Sequence, residues 1–254
     1  MRSAVAGSRG RRGLILLTAA TLAVIAVLVS LGNWQVRRLS WKTALIATVN
    51  ARIVEAPQPL SAIGEWRSLD PEATDYAPVR LTGHFLGARE FHVFANLGEP
   101  KGREGGVGWW IFAPFELQGG GIAFVNRGFV PDRLKEAASR PEPAASGDIT
   151  VTGLLRRPEG RNPFTPADLA AKNQWFTRDP QPMAIALGVK PDDVLPFYVD
   201  ADRSMTPPSG LPQAGETVVN FPNDHLGYAI TWYGLALACA GVYLAFVIRR
   251  RRVN

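Results

Sequence analysis

The chain has 254 residues, 46% of them hydrophobic and 20% charged, which excludes a disordered chain and leaves room for one or two packed domains. Its formal net charge of +6 would suit a nucleic-acid binder, but the placement of that charge argues against one. Arg2, Arg9, Arg11 and Arg12 near one end and Arg249, Arg250, Arg251 and Arg252 near the other hold 8 of the 28 basic residues, while residues 33–225 hold the remaining 20 and all 22 acids. The basic excess therefore lies only beside apolar runs, as membrane-topology signals do. The single cysteine, Cys239, sits inside one of those runs, so no disulfide framework exists. No Cys-x-x-Cys-His occurs, which excludes covalent c-type haem attachment.

In chain order, residues 1–12 form a basic tail expected in the cytoplasm. Residues 13–32, GLILLTAATLAVIAVLVSLG, carry no charge and are long enough for a first transmembrane helix. A signal peptide is the competing reading, but the run exceeds a signal h-region and ends in LVSLGNWQVRR, with no clean cleavage site. Leu39, Leu45, Ile46, Val49 and Ile53 continue at helical spacing until Pro57.

The period then changes to two. Strands are expected over 78–87, 90–94, 108–117, 121–130, 148–159, 195–201 and 217–221, with Gln118, Gly119 and Gly120 closing a hairpin. Asp179 and Pro180 read as N-cap and first turn of a helix over PQPMAIAL that stops at Gly188. PDRLKEA (131–137) is a second helix candidate, and RPEPAASG (140–147) a loop. Residues 33–225 thus read as one antiparallel β-rich domain, barrel- or sandwich-like within an α+β class. Residues 226–248, LGYAITWYGLALACAGVYLAFVI, form a second transmembrane helix, and residues 249–254 a second basic tail. A hairpin of buried core helices in a soluble protein fits two charge-free runs flanked by arginines poorly. Both termini are expected in the cytoplasm and the β-rich domain outside. No long amphipathic, Ser-rich presequence precedes the first helix, so the expected location is a bacterial plasma membrane with a periplasmic domain.

No hydrolase or P-loop motif occurs. The remaining acids read as solvated strand faces, with Asp200 and Asp202 at a strand end and turn. His84 and His92 share parity across a short turn; they are either two solvated histidines or two ligands of a metal site, which would need more. His225 stands at the head of the second membrane helix, with Tyr228, Ala229 and Trp232 at helical spacing from it. The first helix leaves the membrane on the same side with Trp34, Gln35, Arg37 and Arg38. An imidazole, aromatic faces and arginines at one depth suit a flat, acidic-tailed molecule such as haem, with His225 as metal ligand, Trp232, Tyr228 and Trp34 against the macrocycle and Arg38 near its acids. The alternative is a histidine that only caps its helix or sits among lipid headgroups.

Several strings, in one order, resemble the surfeit-locus cytochrome oxidase assembly factors: LGNWQVRRLSWK (31–42), PVRLTGHF (78–85), VNRGFVP (125–131), GLLRRPEGRNPFTPADLAAKNQWFTRDP (153–180), PFYVDAD (196–202) and NDHLGYAITWYGLA (223–236). Asn162, Pro163, Phe164, Asn173 and Trp175 lie at family spacing. The resemblance implies a non-enzymatic factor that helps assemble haem–copper cytochrome c oxidase. It further implies haem a as cofactor, His225 as its ligand, and the oxidase catalytic subunit and the haem a synthesis machinery as partners. Two readings follow: a carrier that delivers haem a, or a cofactor-free scaffold that holds the oxidase subunit during assembly.

Overall fold

A computed structural model describes residues 2–60, 69–141, 147–217, 219 and 221–253. The chain divides into two units, one of residues 1–48 and 220–254 and one of residues 49–219.

The first unit is a pair of helices. Helix α1 (Arg2–Arg52) is continuous through the basic tail, the apolar run and the segment beyond it. It ends four residues short of Ala56–Pro57, in a turn closed by Ile53 N–H donating to the Val49 carbonyl. The second long helix of the unit, named α4 below, covers His225–Val253. Both are long and apolar enough to cross a membrane, and 0% and 6% of their most apolar stretches are buried. An apolar surface that the protein does not cover is what lipid covers, and the chain is an α+β membrane protein.

The second unit is built on a closed barrel. Its elements are β1 (Gln58–Pro59), α2 (Pro71–Thr74), β2 (Pro78–Phe85), β3 (Phe91–Leu97), β4 (Gly106–Leu117), β5 (Ile122–Pro131), β6 (Ile149–Arg156), β7 (Gln174–Trp175), α3 (Pro180–Leu187) and β8 (Val194–Ala201). The sheet runs β1-β2-β6-β8-β5-β4-β3-β7, and β2 also pairs with β4, which closes β2, β6, β8, β5 and β4 into five strands. β2 serves both seams: its first part lies against β6 and its last, Gly83 to Phe85, against Leu117 to Phe115 of β4. Most pairings are antiparallel, as expected for consecutive strands joined by short turns. Three are parallel: β1 with β2, β3 with β7, and β5 with β8. Strand direction depends on which neighbours meet across the barrel, and alternation within one strand carries no trace of that.

Side-chain parity sorts the core into two. Leu81, Phe115, Val125, Val151, Phe197 and Val199 fill the barrel. Phe112, Phe124, Val194 and Tyr198 point outward into a second core, roofed by Phe91, Trp175, Met183 and Ala184. Strands β4, β5 and β8 are thus buried on both faces, which is why their sequences are nearly unbroken hydrophobic runs. Helix α3 is capped as expected. The Asp179 side chain accepts from Gln181 N–H, Pro180 occupies the first turn, and Gly188 ends the helix at φ 81°.

PDRLKEA does not form an α-helix. It makes a 3-10 turn at Asp132–Leu134 and then extends at Glu136, before another such turn at Ala137–Ser139. Trp109 holds both ends of the first turn: its Nε1–H donates to Asp132 Oδ1 at 2.7 Å, and Lys135 Nζ stands 4.3 Å over its ring. The strand expected over 217–221 includes residues 218 and 220, and the loop 140–147 includes residues 142–146, which lie outside the described residues.

Candidate functional site

His225 is the first residue of α4, and its partner is Gln35 of α1: Nδ1 and Gln35 Oε1 are 2.7 Å apart. Gln35 is 7% exposed, although it lies in a helix whose neighbours face outward. The other ring nitrogen of His225 makes no hydrogen bond among the described residues. Further contacts fix the same antiparallel register. Tyr233 O–H donates to Asn33 Oδ1 at 2.7 Å, and Thr18 Oγ1 and Tyr243 OH lie 2.5 Å apart. Ala229 and Ala236 are buried between the helices, and the Tyr233 ring lies so close to Gly32 that a Cβ there would meet it at 2.7 Å. Small residues and polar pairs are what hold helices together in lipid, where apolar side chains gain nothing from leaving it.

Of the other residues expected at this site, Trp34 is 48% and Tyr228 57% exposed, while Trp232 is half-buried. Arg38 is exposed, with its guanidinium 4.5 Å from the Trp41 ring centroid. None of the four is hydrogen-bonded to His225 among the described residues. At about 100° per residue, Trp34 and Arg38 fall to one side of Gln35, and Tyr228 to one side of His225. Because the helices run antiparallel, these are the same flank of the pair. At the level of His225 the buried Gln35 and Ala229 close the seam, and the aromatic groups offer an outer flank; deeper, the two helices leave an apolar groove of about 640 Å³ lined by Leu17, Thr21, Leu28, Leu235 and Tyr243. Gln35 was passed over as one polar residue in an interfacial string. Its signal was its heptad spacing from Leu28 and Thr21, the stripe that faces α4.

The remaining histidines do not meet. His84 on β2 faces Glu116 of β4, and His92 on β3 faces Ile111 of the same strand, so β4 separates them. His84 Nε2 lies 3.4 Å from Glu116 and its Nδ1 3.3 Å from Asp148, near the surface. His92 is 4% exposed, so it is not the solvated residue expected; its Nε2 is 3.7 Å from Glu90. No group of three His, Cys, Asp or Glu side chains suited to a metal ion occurs among the described residues.

The acids of the second unit are not all solvated either. Asp200, 2% exposed, accepts from Asn126 Nδ2 at 2.8 Å, Arg156 at 3.1 Å and Thr217 Oγ1 at 2.9 Å. Arg156 also donates to Asp75 and to the Tyr76 hydroxyl. Burial alone would lower the Arg156 guanidinium, but Tyr198, Asp200, Tyr76 and Asp75 raise it well above the ordinary arginine value. A second cluster joins Glu90 to Arg140 and, at 3.1 Å, to Arg127. Burial pushes the Glu90 carboxyl up; His92, Arg140 and Arg127 together outweigh it and hold the carboxyl below its ordinary range. Arg178 pairs with Glu159, and burial raises the Tyr198 hydroxyl that stands between Arg178 and Arg156. These are structural networks, in which each of these charges has a partner.

Comparison with known proteins matches residues 22–237 to the SURF1 family. The chain belongs to that family. It is 34% identical to Surfeit locus protein 1 of Xenopus tropicalis over 232 residues, 87% of this chain and 72% of that protein. It is 33% identical to Surfeit locus protein 1 of Homo sapiens over 230 residues, 86% and 73% of the two chains. Against Surfeit locus protein 1 of Takifugu rubripes it is 31% identical over 246 residues, 91% and 97%. The SURF1 strings in this chain divide by role. VNRGFVP is structural: Asn126 Oδ1 accepts from Gly128 N–H, Arg127 binds Glu90, and the backbone of Phe129 pairs with that of Gln213. Asn173 is structural too, left-handed at φ 50°, donating to the Glu90 carbonyl and accepting from Trp175 Nε1–H. LGNWQVRRLSWK and NDHLGYAITWYGLA supply the two sides of the Gln35–His225 junction.

Proposed function

We propose that this SURF1-family chain is an assembly factor for haem–copper cytochrome c oxidase that holds haem a through His225 and delivers it to the catalytic subunit. The observation that carries the reading is the junction itself. An imidazole at the head of a membrane helix is fixed by one nitrogen on a buried Gln35, and its other nitrogen makes no hydrogen bond among the described residues. One histidine suits an axial ligand of haem iron and is too little for a bare metal ion. Trp34, Tyr228 and Trp232 would line an apolar ring system, and Arg38 would meet carboxylates at the membrane surface. The bound group would supply a coordination site for His225, and the proposed role is that of a non-enzymatic factor.

The proposed location is a bacterial plasma membrane with both termini in the cytoplasm and the barrel in the periplasm. Its basis is the arginines at both ends and the near-neutral middle. Alkaline phosphatase fused after Pro143 is expected to be active and fused after Asn254 inactive; the opposite pattern would reject this orientation. The proposed partners are the oxidase catalytic subunit, the haem a synthesis machinery and the bilayer, and no nucleic acid.

Cells lacking the protein are expected to lose most oxidase activity while still containing extractable haem a. Disappearance of haem a itself would point to an enzyme of its synthesis and overturn the assembly reading.

A further inference from the structure

We propose that Gln35 is a positioning residue for His225: its carboxamide oxygen holds the imidazole in the Nδ1–H tautomer and so keeps the Nε2 lone pair free for a metal. The purpose of that lone pair rests on the haem reading above; the tautomer assignment does not. Gln35 Oε1 lies 2.7 Å from Nδ1; with the amide oxygen in that place the bond takes the proton on Nδ1, whereas the amide nitrogen there would select the other tautomer, and the experiment below separates the two. Gln35 is 7% exposed, and the helices close on it through Ala229 and Gly32, so its side chain has little freedom to turn away. A free imidazole in water favours the other tautomer, with the proton on Nε2, where it would block coordination. The group that orients a ligating histidine is therefore part of the site.

The choice of an amide also has chemical content. A carboxylate in the same place would bind the Nδ1 proton more strongly, draw the ring toward imidazolate and tighten its hold on iron. It would also place a charge at the membrane face of the seam, where charge is costly. A neutral acceptor orients the ring without that extra hold, which suits a protein that must release what it binds.

The test uses the full chain in lipid nanodiscs with 15N-labelled histidine. The chain has three histidines, so His84→Ala and His92→Ala assign the third. The parent is expected to carry the proton on Nδ1, Gln35→Leu to lose that preference, and Gln35→Glu to restore it. A proton on Nε2 in the parent, or an unchanged tautomer in Gln35→Leu, overturns the proposal. Haemin added to the same samples gives a second reading. Gln35→Leu is expected to weaken its affinity about 10–100-fold, and Gln35→Glu to bind it with a lower reduction potential. Equal affinity and potential in all three proteins would show that Gln35 does not act on the bound metal. If the parent binds no haemin while the tautomers behave as stated, the haem reading fails and the assignment of Gln35 stands.

Discussion

His225→Ala is expected to abolish or strongly reshape the visible spectrum of protein purified from cells that make ample haem a, while the chain still inserts and folds. Losing the imidazole removes the one directional bond that would fix iron, and aromatic packing on an open flank is too weak to hold one geometry. The fold should survive, because His225 is the first residue of its helix and its loss leaves the Tyr233–Asn33 and Thr18–Tyr243 contacts in place. His84→Ala is the control: that side chain stands at the barrel surface between two carboxylates and should leave the spectrum unchanged. An unaltered spectrum in His225→Ala would remove His225 from the site. A parental protein that binds no haem a at all would favour the cofactor-free scaffold.

Gly128→Ala is expected to destabilise the barrel by roughly 4 kcal/mol or more, near the upper end for single substitutions. Two costs combine. Gly128 has φ 128°, where an L residue is strained, and an added Cβ would meet the Gln213 carbonyl carbon and oxygen at 2.3 Å. That neighbour cannot yield easily. The backbones of Phe129 and Gln213 exchange two hydrogen bonds, and the buried Gln213 amide in turn holds Glu104 and Glu216. Gly87→Ala separates the two costs. Its φ is 64° and nothing lies within 4 Å of the new Cβ, so only about 1–2 kcal/mol of backbone strain should appear. Urea denaturation of the full chain in detergent, followed by tryptophan fluorescence, measures both. Equal losses at the two positions would mean that the contact with Gln213 carries no weight.

What the sequence made legible was whatever depends on neighbours along the chain. The charge-free runs with arginines at their outer ends marked both membrane helices, and Asp179, Pro180 and Gly188 marked the ends of α3. The hairpin at Gln118–Gly120 was equally local. What it hid depends on neighbours in space. The parallel pairing of β5 with β8 follows from barrel closure, and His84 and His92 share parity yet are kept apart by β4. Asp200 was placed correctly at a strand end but read as solvated; its partners Asn126, Arg156 and Thr217 are not near it in sequence. At the candidate site, His225 stood out because aromatic residues at helical spacing and the arginines of the first helix gather beside its imidazole. Gln35 was not, since one amide among tryptophans and arginines looks like an interface until the opposite helix is known.

The helix pair is also a machine part that cannot work as a piston. Three polar contacts tie α1 to α4 at different depths: Thr18 with Tyr243, Asn33 with Tyr233, and Gln35 with His225. Sliding one helix by a single turn, about 5.4 Å, would break all three at once and strand their polar groups in lipid. It would also drive the Tyr233 ring off Gly32, the spot where the absence of a side chain admits it. The imidazole is therefore held at one level along the pair. A group proposed to bind at His225 would therefore be met at one fixed level of the pair, like a ship at a fixed quay.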